Sequence, residues 1–330
     1  MVDVAKVPAG PKIREWSRKH GFDDWMVARW VKLLQGAPPG SLNKFLEGIR
    51  RKAPEYIRAN PLRCSGTELE RRLDARGFKL APVELDPQMR RVVHAPISAG
   101  ATQEHLLGLS TPQDVASGAA AMALGARPGD AVADLAAAPG IKSLHLAGAM
   151  KDEGTLVCVE PDEARMRGLR FNLERCGVTC AVTRQHTGQE LPGEAWADRV
   201  LLDAPCTGEG TLPKDRSRRH GRPDEIARLG GVQNELMDAA DRVLRPGGTM
   251  VYATCTFAPE ENEAQVQRLL DRGYVMEPLP FDRLEAPLLP GLTSWPGLEL
   301  DDSMHLARRF LPGIHPSLGL FIARLRKEAP

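Results

Sequence analysis

No stretch of the 330-residue chain holds the roughly 20 consecutive apolar residues that a membrane-crossing helix requires, so a chain threaded through a bilayer as helices is excluded. Met1–Gly10 lacks the charged-then-apolar pattern of a secretory signal, and secretion is not expected. Cysteine is sparse, with six residues at 64, 158, 176, 180, 206 and 255. Cys176 and Cys180 are four apart, but no second pair completes a zinc spacing. Neither a disulfide framework nor a metal site is expected, and a reducing cytoplasm suits such thiols. The phosphate-binding pattern Gly-x-Gly-x-x-Gly is missing, which argues against a dinucleotide cofactor. There is no internal repeat and no low-complexity tract.

What is present divides into two textures. Residues 1–100 carry 19 Lys/Arg against 11 Asp/Glu, and the remainder carries 25 against 32. The net charge of +1 therefore hides a basic first part and an acidic second part. A basic module of this kind attracts phosphate backbones; a solvated Arg-rich surface is the plainer reading of the same charge. In the first part, Trp25, Val27, Ala28, Trp30, Val31 and Leu34 recur at helical spacing until Pro38-Pro39-Gly40 breaks it. Ser41 is a candidate cap for a helix over 42–51. Tyr56–Pro61 reads as a strand, Thr67–Arg76 as a helix ended by Gly77, and residues 78–98 as short strands and loops. The boundary is drawn at 100, with a small α/β module over 1–100 and a larger domain over 101–330.

Beyond residue 100 apolar strands alternate with helices. The strands are Ala131–Leu135, Thr155–Glu160, Thr179–Thr183, Asp198–Asp203 and Thr249–Thr254. The helices are Ile141–Met150, Asp162–Cys176 and Asp224–Leu244. Alternation of this kind predicts an α/β fold with a parallel, doubly wound sheet, whose ligands sit at the carboxyl ends of the strands. The chemically informative residues fall at those ends. After the first strand, Ala136-Ala137-Ala138-Pro139-Gly140-Ile141-Lys142 makes a tight, small-residue turn into a helix N-terminus, where free N–H groups face a ligand. Glu160 ends the next strand, 20 residues past Gly140, where an acid binds ribose hydroxyls. This points to a nucleoside-type cofactor and leaves room for S-adenosylmethionine.

Two further strands run into Asp203-Ala204-Pro205-Cys206 and Thr254-Cys255-Thr256. Two thiols and a carboxylate facing a methyl donor suit methylation at C5 of cytosine. That carbon is a poor nucleophile until a thiolate adds at C6, after which a proton must leave C5 and the thiol be eliminated. Spacing alone does not say which cysteine attacks. Cys64, Cys158, Cys176 and Cys180 read as small buried hydrophobes.

These segments resemble the Nop/Sun (Fmu-type) family of S-adenosylmethionine-dependent RNA cytosine-5 methyltransferases. Thr111–Ser117 is similar to its Gln-Asp-x-x-Ser segment, and Asp134–Lys142 to its cofactor loop. Leu202–Thr211 resembles its Asp-x-Pro-Cys-(Ser/Thr)-Gly segment. Leu244–Thr256 with Pro259-Glu260-Glu261-Asn262-Glu263 resembles its Thr-Cys-Ser motif and Glu-Glu-Asn tail, and Phe310–Arg324 its closing strand. The resemblance implies a mostly parallel seven-stranded sheet behind a small N-terminal α/β RNA-binding domain. It implies that Cys255 is the nucleophile, that Cys206 aids release, that Asp203 contacts both cytosine and cofactor, and that Lys142 lies near the active site. Residues 136–142 and Glu160 would hold S-adenosylmethionine. Thr187 stands where the family often has an adenine-side Asp. The Arg58-x-Asn60 step is the clearest point of resemblance to the family's N-terminal RNA-binding module, and Arg50, Arg51, Lys52 and Arg58 are the expected RNA-binding charges. The compact chain favours tRNA over rRNA as substrate and a monomer as its state. A DNA cytosine-5 methyltransferase working through Cys206, and a catalytically silent RNA-binding factor, are the alternatives; the Thr-Cys-Thr motif counts against the first, and retention of both thiols against the second.

Overall fold

The computed structural model describes residues 4, 6–281 and 287–329; the reading of Met1–Gly10 falls partly outside them. The chain opens with three helices, α1 (Pro11–His20), α2 (Asp24–Leu33) and α3 (Ser41–Gly48). Met26, Val27, Trp30 and Leu33 of α2 are buried, as their spacing requires. Ser41 does not cap α3. Gly40 occupies the cap position and Ser41 is the first helical residue, because the turn out of Pro38-Pro39 needs the left-handed conformation one residue earlier. The helix also stops at Gly48, short of the expected 51.

A four-stranded antiparallel sheet follows, built from β1 (Glu55–Ala59), β2 (Lys79–Pro82), β3 (Met89–His94) and β4 (Ser110–Pro112) in the order β2-β3-β1-β4. Helix α4 (Gly66–Asp74) lies between β1 and β2 in sequence, with the Ser65 hydroxyl accepting from the Glu68 N–H at 3.1 Å. After β3 comes the short α5 (Gln103–Leu106). The edge strand β4 comes from beyond residue 100 and leads directly into α6 (Val115–Leu124).

The main sheet contains β5 (Ala131–Asp134), β6 (Thr155–Val159), β7 (Ala181–Arg184), β8 (Ala197–Asp203), β9 (Leu244–Thr254) and β10 (Tyr274–Glu277). It is extended by β11 (Leu289–Pro290), and a separate small pair is formed by β12 (Ser294–Trp295) and β13 (Leu298–Glu299). The last two strands of the main sheet are β14 (Arg308–Phe310) and β15 (Leu320–Lys327). The order is β7-β6-β5-β8-β9-β15; β10 and β14 share the outer edge of β15, and β11 pairs with β14. The pairs from β7 through β9 are parallel, and β15 is antiparallel to β9. The expected seven-stranded, mostly parallel sheet is thus present as β5–β10 with β15, and β11 and β14 widen it to nine strands.

Helices cover both faces. On one, α6 packs with α7 (Ile141–Ala149) and α8 (Glu163–Cys176); on the other lie α9 (Pro223–Val243) and α10 (Glu263–Leu270). Burial on both sides explains why Val200-Leu201-Leu202 and Met250-Val251-Tyr252-Ala253 run apolar without alternating; all seven are fully buried. Each large aliphatic side chain so buried contributes about 1.5–3 kcal/mol. The helices α1–α3 form a core of their own with Leu212, Phe257 and Leu311 of the larger domain. Phe22, Trp30, Phe45 and Phe257 make a chain of edge-to-face rings with centroids 5.1, 5.5 and 5.2 Å apart.

Candidate active site

The turn after β5 is shaped by close packing. Gly140 sits at φ +98° as the residue capping α7, and a Cβ there would lie 2.8 Å from Leu169 Cδ1. The Asp134 carboxyl is fully buried and accepts the Ser143 hydroxyl at 2.7 Å. Burial pushes its pKa up to about 6, and its Oδ1 atom has no protein partner. At the end of β6 the Glu160 carboxylate accepts from the Asp162 N–H at 3.0 Å. Arg165 bridges Glu160 (3.3 Å) to the Ala138 carbonyl (2.9 Å), tying the acid to the turn. Sequence reasoning passed over Arg165, which looks like one more charged residue of an exposed helix.

Two cavities meet here. One, of 380 Å³, is lined by Ala136, Ala138, Glu160, Thr187, Asp203 and Cys206 among others. The second, of 260 Å³, is lined by Ala137, Pro139, Ile141 and Lys142, with Gln113 and Asp114 from the start of α6. Ala136, Ala138, Asp203 and Cys255 border both. Residues 136–142 are therefore divided. Ala136 and Ala138 face the Glu160 side, while Ala137, Pro139, Ile141 and Lys142 face only the second cavity; Gly140 shapes the turn without lining either. Thr187 borders the first cavity, and its N–H is taken by Glu190 at 3.1 Å.

Between the cavities lies the chemistry. Cys206 and Cys255 are free thiols with their Sγ atoms 3.3 Å apart. The register of β8 against β9, Asp203 opposite Ala253, carries both loops to one sheet edge. Lys142 Nζ donates to Asp203 Oδ2 at 2.6 Å. The two thiols are unequal. The hydrogen bond between them, with Lys142 helping, holds the Cys255 thiol below its ordinary pKa despite burial. The same hydrogen bond, with burial, pushes Cys206 well up. Of the two thiols, Cys255 is thus the one whose surroundings favour ionisation. Burial alone would lower the Lys142 pKa, but Asp203 overrides it and holds the ammonium above its usual value.

Other residues of the site drew no role from the sequence. Glu260, Glu261, Asn262 and Glu263 are all buried. A run of three carboxylates reads as a solvated segment because the groups that neutralise or hold it lie far away in sequence: Arg29 for Glu260, Arg309 for Glu263, Thr207 and Gln233 for Glu261. Lys214 borders the second cavity, and Arg218 the first. Arg216 donates to the Arg50 carbonyl at 3.2 Å, so this basic loop of the acidic part abuts Arg50-Arg51-Lys52. The expectation for Arg58 needs correction. Arg58 is ion-paired to Asp86 at 2.7 Å with its side chain 10% exposed, and Asn60 donates to the Gly108 and Cys176 carbonyls. Arg58 is thus spent inside the small module and presents no free charge to an RNA, while Asn60 ties that module to the loop before β4 and to the end of α8. Among the described residues no cluster of His, Cys, Asp or Glu is arranged to hold a metal ion, and no helix is long and apolar enough to cross a membrane.

The family model for 16S rRNA methyltransferase RsmB/F matches residues 121–326. Ribosomal RNA small subunit methyltransferase F of Vibrio parahaemolyticus is 33% identical over 323 residues, 91% of this chain and 64% of that one. The 26S rRNA (cytosine-C(5))-methyltransferase nsun-1 of Caenorhabditis elegans is 32% identical over 318 residues, 94% of this chain and 47% of that one. This chain thus spans only about half to two-thirds of the length of these curated relatives. A solved methyltransferase homolog from Pyrococcus horikoshii superposes with a TM-score of 0.83 at 33% identity, covering 96% of this chain and 99% of that one. Because the family match runs from within α6 to the last strand and takes in both cysteine loops, the chain belongs to the 16S rRNA methyltransferase RsmB/F family.

Proposed function

We propose that the chain is an RNA (cytosine-5)-methyltransferase that moves a methyl group from S-adenosylmethionine to C5 of a cytosine through a covalent adduct between Cys255 and C6. The observation that carries this reading is the pair of free thiols 3.3 Å apart, beside the Lys142–Asp203 ion pair, where two cavities meet. The larger cavity suits the cofactor: Glu160 is an acceptor for ribose hydroxyls, the small side chains of Ala136 and Ala138 admit a ligand close to the backbone, and Asp203 faces the methionine end. The bound cofactor supplies an electrophilic methyl group. The second cavity takes the extruded base.

The rest follows from this chain's own groups. The Cys255 thiolate adds to C6, and the electron pair moves toward C5 and N3. Asp203, held by Lys142, hydrogen-bonds the N3 side and favours protonation there as the adduct forms. C5 then takes the methyl group. The proton on C5 leaves, the S–C6 bond breaks, and Cys255 returns as a thiolate, with one proton released per methyl transferred. Cys206 is the group placed to pass that proton on.

The printed names of the relatives specify ribosomal RNA, and we take rRNA as the substrate over the tRNA that compactness alone suggested. The RNA is met by exposed Arg50, Arg51 and Lys52 together with the basic loop of Lys214, Arg216 and Arg219, whose Lys214 borders the second cavity and whose Arg216 abuts Arg50. The test is transfer of radiolabelled methyl from S-adenosylmethionine to rRNA, tRNA and DNA, followed by mapping of 5-methylcytosine in total RNA from cells with and without the protein. Methylated rRNA is the expected product. Labelled tRNA alone would move the substrate, and RNA binding without transfer would favour the silent-factor reading.

A further inference from the structure

Strand pairing brings Cys206 and Cys255 to one edge, but the β8–β9 ladder ends at Asp203 and Ala253. Beyond it the backbone joins the loops where Ala204 N–H donates to Ala253 (2.9 Å) and Gly210 N–H donates to Cys255 (2.8 Å). Side chains of one dipeptide hold the rest. The Glu261 carboxylate accepts from the Thr207 N–H at 3.0 Å and from the Thr207 hydroxyl at 2.5 Å, next to Cys206. Gln233 donates both to Glu261 (2.9 Å) and to the Pro205 carbonyl (2.8 Å), on the other side of the same cysteine. The adjacent Asn262 works on the other loop: its carbonyl accepts from Thr254 at 2.5 Å and its amide donates to the Thr256 carbonyl at 3.1 Å, bracketing Cys255. Finally, the Thr207 and Thr256 hydroxyls bridge at 2.7 Å, so the residue after one cysteine is bonded to the residue after the other.

We propose that Glu261 and Asn262 are positioning residues that clamp the two thiols: Glu261 fixes the Cys206 loop, Asn262 fixes the Cys255 loop, and the Thr207–Thr256 bridge sets the gap between the sulfurs. Neither Glu261 nor Asn262 lines either of the two cavities that meet at the thiols, so each acts through the cysteine it brackets. Both are fully buried, as are Thr254 and Thr256, so the network is shielded from competing water. The clamp divides the chemistry, and in this respect it rests on the function proposed above. The Asn262 side governs attack at C6. The Glu261 side governs release, because Cys206 must reach the proton on the neighbouring carbon while Cys255 stays bonded to C6. A displacement of the order of 1 Å is enough to cost about 100-fold in such a step.

The test compares Thr207→Val, which keeps shape and removes the bridging hydroxyl, with Thr207→Ser, which keeps the hydroxyl, and with Thr254→Val on the other loop. Binding of S-adenosylhomocysteine, measured by calorimetry, reports an intact fold, and Glu261→Gln is carried alongside as a second shape-conserving change. Thr207→Val is expected to methylate in a single turnover at about the wild-type rate, to lose about tenfold or more in multiple turnover, and to accumulate the RNA–protein adduct on denaturing gels. Thr207→Ser restores release. Thr254→Val slows the first turnover and accumulates no adduct. A readout without RNA accompanies these: diamide oxidises the two thiols to a Cys206–Cys255 disulfide and is itself reduced to the hydrazine, and the linked peptide is followed by mass spectrometry. Linking is expected to slow about fivefold or more in Thr207→Val if the bridge holds the sulfurs in contact. Wild-type linking and release in a Thr207→Val protein that binds S-adenosylhomocysteine, or equal loss of attack and release in both valine variants, overturns the clamp. A wild-type chain whose linking depends on Thr207 but which methylates no RNA upholds the clamp and overturns the function.

Discussion

At the scale of single residues, the company Cys255 keeps lowers its pKa. The hydrogen bond with the neighbouring thiol and a lysine ammonium close by outweigh burial and the Asp203 charge. Replacing Cys255 with Ala is expected to remove methyl transfer while S-adenosylhomocysteine affinity stays within about twofold, because cofactor binding and nucleophilic attack draw on different groups. Replacing Cys206 with Ala is expected to trap the RNA on Cys255, seen as a slowed band on a denaturing gel; turnover at the wild-type rate would exclude Cys206 from release. The two cysteines were legible in the sequence, since Pro, Gly and Thr neighbours mark loops at strand ends. Glu261 was legible only as part of the Glu-Glu-Asn tail; its burial was not, because it is decided by Thr207 and Gln233, whose proximity no local pattern announces. Burial raises its pKa to about 7. In the unfolded chain the carboxyl ionises near its ordinary value, so between about pH 4.5 and 7 the folded state binds more protons. Its contribution is therefore complete below that window and lost as pH rises through 7, at about 1.4 kcal/mol for each pH unit crossed. Urea melts at pH 5 and 7.5 are expected to show this fall in the wild type and a smaller one in Glu261→Gln.

At the scale of elements, the alternation of apolar strands with amphipathic helices gave away β5 to β9 and α7 to α9, with ends displaced by one to a few residues. The strands β11 and β14, of two and three residues, carry no periodicity; β14 exists because the outer edge of β15 offers it a partner, and β11 because β14 does. The strand β4 was missed for the same reason; three residues pair with β1 on the way into α6. Close approach of elements is equally hidden. Gly210 donates to Cys255 and accepts from the Gly319 N–H at 2.9 Å, so the loop after β8 is pressed between the Cys255 loop and the start of β15. A Cβ at 210 would lie 2.4 Å from the Gly319 carbonyl oxygen. Gly210→Ala is expected to cost about 1–3 kcal/mol in a denaturant melt, since backbone must move to admit it, and to lower methyl transfer through the displaced Cys255 loop.

At the scale of the whole molecule, dividing the charge at residue 100 concealed the basic surface, because Lys214, Arg216 and Arg219 belong to the part that is acidic overall. Folding sets their loop against Arg50 through Arg216 and brings Lys214 to the second cavity. Reversing Arg216 and Arg219 to Glu is expected to weaken RNA binding and to reduce the steepness of its salt dependence by about one for every phosphate no longer neutralised, while Arg58→Lys leaves that slope unchanged. Binding titrations from about 50 to 200 mM salt check both.

The ring chain from Phe22 to Phe257 carries one more consequence. The helices α1–α3 lie against Phe257, two residues past Cys255, as well as Leu212 and Leu311. Cutting the chain at residue 100 would strip that cover and leave an oily, unsupported wall directly behind the reactive loop. A catalytic half produced alone should therefore be a sticky, poorly active protein that light scattering identifies at once, and a minimal version of this enzyme has to begin near residue 11 rather than near 101.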